Sequence, residues 1–188
     1  MQNKVILLTM MSSKDVQFDP ITGSMSLDNG IFKGLHRQVW CIRDERRSGE
    51  DGGTFEGGKW VSRIFNCIDG MSGMGISLKE NETQIHIDPG TYIIDVKCPA
   101  LGVGSHQIRV QNVTDNITEV FGTTACSHSD EHQTTSDASF HLTVIDIAKD
   151  FQIQHRCSGG RPVDGLGKST PFKDNMEVYS LMKIQKVL

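Results

Sequence analysis

Hydrophobic and polar residues alternate with a period of two along most of the chain, and no stretch carries a helical stripe of 3.6-residue period. The clearest case lies between residues 90 and 113. Tyr92, Ile94 and Val96 alternate with Ile93, Asp95 and Lys97. After a Gly-rich connection, Ile108, Val110 and Val113 alternate with Gln107, Arg109 and Gln111. Asp88-Pro89-Gly90 opens the region as a turn, since proline presets the first corner and glycine accepts the positive φ that follows. The two runs predict a central antiparallel pair with one buried face and one face turned to water or a partner.

Strand patterns recur at 38–42, 59–66, 76–78, 83–87, 119–125, 139–147, 151–155 and 176–187, separated by Gly, Ser, Asn and Asp clusters. The predicted fold class is all-β, an antiparallel sandwich of about eight to ten strands. Two of these runs carry a second apolar set. Ile93, Tyr179 and Leu181 lie opposite the core positions Tyr92, Ile94, Val96, Val178, Met182 and Ile184, so a neighbouring subunit is expected to cover them.

Residues 1–36 break the pattern. Val5–Met11 is an apolar run, followed by turn signals around Asp19-Pro20 and Asp28-Asn29-Gly30. Leu7, Leu8, Phe18, Ile21, Leu27, Ile31 and Phe32 are too scattered to form a core of their own. Ordering a backbone costs about 1–2 kcal/mol per residue, so such a segment is either a disordered tail or an arm ordered by docking. A docked anchoring arm (1–36) followed by a β domain (37–188) is the expected organisation.

Composition narrows the function. A net charge of −4 without a basic stripe excludes nucleic-acid binding through phosphate neutralisation. No segment reaches the roughly 20 apolar residues that span a bilayer. The Val5–Met11 run lacks the cleavage site of a signal peptide, so Asn81-Glu82-Thr83, Asn112-Val113-Thr114 and Asn116-Ile117-Thr118 read as turn formers rather than glycosylation sites. The five cysteines, Cys41, Cys67, Cys98, Cys126 and Cys157, are odd in number and widely spaced. They predict free thiols packed as small hydrophobes, in a protein made in a reducing cytoplasm.

Candidate chemistry is thin. Gly165-Leu166-Gly167-Lys168-Ser169-Thr170 ends like a phosphate loop, but Pro162 stands where its first glycine belongs and Pro171 where its helix begins. It reads as a flexible surface loop. His128, Asp130, Glu131 and His132 crowd together without helical spacing, which favours a polar loop over a metal site. His86, His106 and His155 fall within strands, as hydrogen-bonded structural imidazoles do. No activated nucleophile is present, and no enzyme, cofactor or metal is expected.

One set of spaced motifs carries a resemblance. It runs from Arg43-Asp44-Glu45-Arg46-Arg47-Ser48-Gly49, Gly52-Gly53-Thr54-Phe55 and Trp60-Val61-Ser62-Arg63 through Pro89-Gly90-Thr91-Tyr92, His106-Gln107 and Arg109. Asn112-Val113-Thr114-Asp115, Gln154-His155-Arg156-Cys157, Gly165-Leu166-Gly167 and Glu177-Val178-Tyr179 continue it. The pattern resembles the tumour-necrosis-factor-like, complement-globular-head-like jelly roll of tailed-phage virion proteins, over about residues 38–188. The resemblance implies a homotrimer used for attachment or recognition, with no role assigned to Arg156 or Cys157. A trimeric virion knob follows as the expectation: a capsid decoration, head fibre or tail-fibre receptor-binding tip, made in the host cytoplasm. Its arm would meet other virion proteins, its loops 43–53, 127–137 and 158–171 would face outward, and a host receptor or glycan would be its target. A carbohydrate- or receptor-binding module of a secreted complement-like protein is the alternative.

Overall fold

The computed structural model describes residues 16–19, 24–27, 30–32, 38–70, 75–129 and 131–187, and the chain divides into two units, 1–37 and 38–188. In the first unit, β1 (Val16–Asp19), β2 (Ser24–Leu27) and β3 (Gly30–Phe32) form an antiparallel meander. Phe18 is paired with Met25, Met25 with Phe32, Ser26 with Ile31, and Leu27 with Gly30. Four of the proposed anchors (Phe18, Leu27, Ile31, Phe32) therefore sit on a small sheet, where the sequence pattern suggested isolated contacts. Leu7, Leu8 and Ile21 lie outside the described residues, as does the Val5–Met11 run.

The second unit is all-β. Its strands are β4 (Val39–Arg46), β5 (Val61–Ser62), β6 (Cys67–Gly70), β7 (Ile76–Leu78), β8 (Ile85–Ile87) and β9 (Gly90–Leu101). They continue as β10 (Gly104–Asn112), β11 (Ile117–Phe121), β12 (Ala125–Ser127), β13 (Gln133–Val144), β14 (Lys149–Cys157) and β15 (Glu177–Lys186). One sheet runs β13-β9-β15-β4-β6. The other runs β11-β10-β14-β8-β7, with β12 added on β10 and β5 on β14. All pairings are antiparallel, and the chain switches sheets repeatedly, which makes the unit a jelly roll.

The core follows the alternation read from sequence. Tyr92, Ile94 and Val96 of β9 face Ile108 and Val110 of β10 and Phe151 and Ile153 of β14, with Trp40, Ile42, Met182 and Ile184 closing the layer. The predicted central pair is corrected: β9 and β10 belong to opposite sheets and do not pair. Gly102 (φ 59°) and Gly104 (φ 71°) take the left-handed conformation that lets the chain pass between the sheets in so few residues. A buried Asn112 also ends the inward set on β10, leaving Val113 exposed.

Two loop expectations change as well. The charged run starts in β4, where Arg43 pairs with Glu45 and Asp69 and Arg46 with Asp44. Residues 133–137 belong to β13, not to the polar loop before it. The phosphate-loop-like stretch is tied down at its start: Asp164, Gly165, Leu166 and Gly167 are buried. Gly52 donates to Gly167 O at 2.9 Å and Leu166 to Gly53 O at 3.1 Å. Gly167 (φ 145°) lies flat against the Tyr179 ring, leaving no room for a Cβ. Gly167→Ala should therefore destabilise the unit by about 1–3 kcal/mol in urea unfolding, from strain plus displacement of the ring. Gly58→Ala, at φ 82° but in open space, should cost only the left-handed backbone strain of about 1–2 kcal/mol, less than Gly167→Ala. Equal losses for the two variants would contradict this packing.

Candidate functional site

The outward face of the β10–β14 sheet carries polar side chains at the positions the sequence pattern turned outward. Register places Gln107 opposite Arg156 and Arg109 opposite Gln154, with Phe121 of β11 on the far side of Arg109. Trp60 precedes β5, which pairs β14 at Gln154 and His155 and so sets the indole beside this face. Arg109 lies over the Trp60 ring at 4.5 Å from its centroid, and Phe121, 56% exposed, packs on it at 6.2 Å. The guanidinium is held by neutral acceptors: Gln154 Oε1 at 2.9 and 2.7 Å, and Thr118 Oγ1 at 3.2 Å. Cation–π contact and three N–H donations, two of them converging on one oxygen, fix it without cancelling its charge.

A groove of about 440 Å³ opens beside Trp60. Its walls are Gly58, Ser105, Gln107, Thr124 and Arg156, and His106, Cys157 and Ser158 also line it. The Arg156 side chain is exposed and makes no hydrogen bond or ion pair among the described residues. Gln107 spends one amide N–H on Gly122 O at 2.7 Å, leaving its carbonyl oxygen open.

Beneath the groove lies an imidazole pair. His106 Nδ1 is 3.0 Å from His155 Nε2, and His106 Nε2 is 2.8 Å from Thr134 Oγ1. His155 packs at a tilt against Phe55, ring centroids 4.7 Å apart, and its Nδ1 has no partner among the described residues. A bare acceptor costs less to leave unpaired than an N–H, so the favoured arrangement has His155 donating to His106 and His106 to Thr134. Burial, followed by the nearby Arg63 charge, pushes His106 down to about 4 and His155 to about 2. Burial likewise lifts the Cys157 thiol to about 11, so it is not a thiolate nucleophile at neutral pH.

The remaining sequence-derived residues scatter. Ile93 is half-buried and Leu181 is 36% exposed, both outward on the five-stranded sheet, but they lie on different rows: Ile93 beside Gln185 and His141, Leu181 beside Lys97 and Arg43. Tyr179 is corrected. It is 3% exposed, faces inward against Gly167 and donates to Glu50 O at 2.7 Å. A bulge between Val178 and Leu181 reverses the alternation, so Val178 (48% exposed) takes the outward place and leaves the predicted core set. All five cysteines are free. Cys98 and Cys157 are buried as expected, but Cys41 and Cys67 are half-buried. Cys126 is exposed because the alternation of β12 turns Ser127 inward instead. Its Sγ lies 2.9 Å from His128 Nε2. Asp130 lies outside the described residues.

No protein-family model and no curated protein matches the chain. Among solved structures, murine APRIL at pH 8.5 is similar at 7% identity and a TM-score of 0.48, covering 80% of this chain and 99% of that one. The globular domain of zebrafish complement 1qA gives 11% identity and a TM-score of 0.48, over 81% and 98% of the two chains. The Eiger TNF of S. frugiperda gives 12% and 0.43, over 81% and 93%. At these levels the likeness is one of strand layout; the jelly roll rests on the strand order described above.

The buried imidazoles generate a pH dependence. Both folded values lie below the ordinary histidine value of 6.5, so the unfolded chain binds protons that the folded chain refuses. Stability should be fully present above pH 6.5 and fall as pH drops from there towards 4, by about 1.4 kcal/mol per pH unit for each proton. Urea unfolding at pH 7 and 5 checks this, with His155→Gln removing one proton's share of the slope. An unchanged slope in that variant would contradict a neutral buried pair.

Proposed function

We propose that the jelly-roll unit is a non-enzymatic recognition knob that works as a homotrimer on the surface of a tailed-phage virion, as a capsid decoration, head fibre or tail-fibre tip. The observation that carries the assembly is an uncovered apolar strip along β15 and its lead-in: Phe172 (64% exposed), Met176 (56%), Val178 (48%) and Leu181 (36%). Single exposed apolar residues are ordinary, but four on one strand and its approach make a contact surface for further copies. Ile93 lies on the same sheet face, one Asp95–Lys183 row removed from Leu181. Residues 1–36 would hold the knob to a capsid or tail partner, and avidity across three copies would strengthen that attachment. A secreted complement-like module would share the recognition role. Five unpaired thiols, one of them exposed, favour the virion setting, because such chains fold in a reducing cytoplasm.

Light scattering at micromolar concentration should return the mass of three chains, and Val178→Asp or Leu181→Asp should return the mass of one without loss of β signal. A monomeric parent chain would overturn the assembly. Deleting residues 2–34 should leave a soluble trimer that no longer joins particles, whereas normal incorporation would place attachment on the jelly roll itself.

A further inference from the structure

We propose that the groove beside Trp60 binds a carboxylate-bearing saccharide, with Arg156 taking the carboxylate and Trp60 packing against the sugar ring. This rests on the recognition reading, to which it adds a place and a ligand class.

Charge gives the first argument. The chain is net negative, yet Arg156 and Arg109 stand on the groove wall and behind it, and neither pairs with a carboxylate among the described residues. No acidic residue lines the groove. Arg156 offers an unengaged planar fork, the geometry that matches a carboxylate through two parallel N–H donations.

The second argument is the mixed character of the other groups. A lone anion site needs donors only. Here the Gln107 carbonyl oxygen is open, the Thr124 hydroxyl makes no hydrogen bond among the described residues, and the Ser105 hydroxyl has only the weak Cys126 thiol at 3.6 Å. Such acceptors and donor–acceptors suit sugar hydroxyls. Trp60 supplies the apolar surface a sugar ring packs on. Arg109 and Phe121 already hold the indole, so little side-chain freedom is lost on binding. A volume of about 440 Å³ suits one or two sugar rings, within the range of small-molecule sites.

The chain's two tryptophans make the test specific. Trp40 is 1% exposed in the core, so its indole N–H signal is an internal reference for that of Trp60. The full chain, labelled with ¹⁵N, would be titrated with N-acetylneuraminic acid, glucuronic acid, neutral glucose and sodium acetate at constant ionic strength. The expected result is saturable movement of the Trp60 indole and of the Ser105, Gln107 and Thr124 amides with an acidic sugar, while Trp40 stays still. Glucose and acetate should each bind at least about tenfold more weakly, and Arg156→Gln should lose about tenfold for the acidic sugar, the loss of one charge-assisted pair. Arg156→Lys, which keeps the charge but not the fork, should fall between. The Arg156 side chain is exposed and makes no hydrogen bond or ion pair among the described residues, so its variants take no polar contact from the fold. Acetate moving the same signals equally well would overturn the saccharide assignment. Saturable shifts elsewhere on the chain would overturn the site and leave the recognition reading standing. No shift with either acidic sugar would overturn the proposal, and host-surface binding by the protein would then test recognition separately.

Discussion

The jelly roll is built around a buried positive charge. Arg63 is 1% exposed and has no carboxylate partner among the described residues. Burying an ion costs several kcal/mol unless its donors are met, and here three guanidinium N–H groups and the backbone N–H are all met. Its backbone N–H reaches Ile153 O in one sheet; Nε reaches Ser180 Oγ and Nη1 Pro99 O in the other. Nη2 takes Leu166 O in the long loop. One side chain thus fixes the spacing of the two sheets and the seat of the 164–167 segment. Several local irregularities follow from it. The β15 bulge brings Ser180 inward to Arg63, which turns Tyr179 onto Gly167 and Val178 out to solvent. The same charge helps keep the two imidazoles neutral.

That arrangement separates scaffold from surface. The imidazole pair, Cys157 and Phe55 make a stiff floor, and Ser105, Gln107 and Arg156 stand on the paired strands β10 and β14, while Gly58, Trp60 and Thr124 come from the connections beside them. A surface set on strands holds its side chains in place before a ligand arrives, which lowers the ordering cost of binding. The opposite sheet has a different character: its outward face mixes Ile93 and Leu181 with Lys97, Lys183 and Asp95, and its apolar strip gathers at one end of β15. The two sheets thus present different chemistries, an apolar strip on one and an open, cationic polar groove on the other.

The alternation made most of this fold legible. Tyr92, Ile94, Val96, Ile108, Val110, Phe151 and Ile153 are all buried where a period of two puts them, and Gln107 and Arg109 face outward on the same rule. What alternation does not encode is partnership. It cannot say that β9 and β10 lie in different sheets, because consecutive strands share a period whether or not they pair. Nor does it register a bulge, so Tyr179 and Val178 exchange faces. The groove was legible only in part: Arg156 and Trp60 stand in the spaced motifs noted in the sequence, but Trp60 and Arg109 are 49 residues apart and only the sheet brings them together. Arg63 gives no sequence signal of burial, since a charged residue in a strand normally points to water.

In the proposed assembly copies meet through the β15 side while the opposite sheet stays open. An experimental structure of the assembled chain, at a resolution that separates strands, tests it most directly. Three chains are expected in contact around Val178 and Leu181, with Trp60, Gln107 and Arg156 open to solvent. A neighbouring copy seated over Trp60 and Arg156, with the β15 strip left bare, would contradict it.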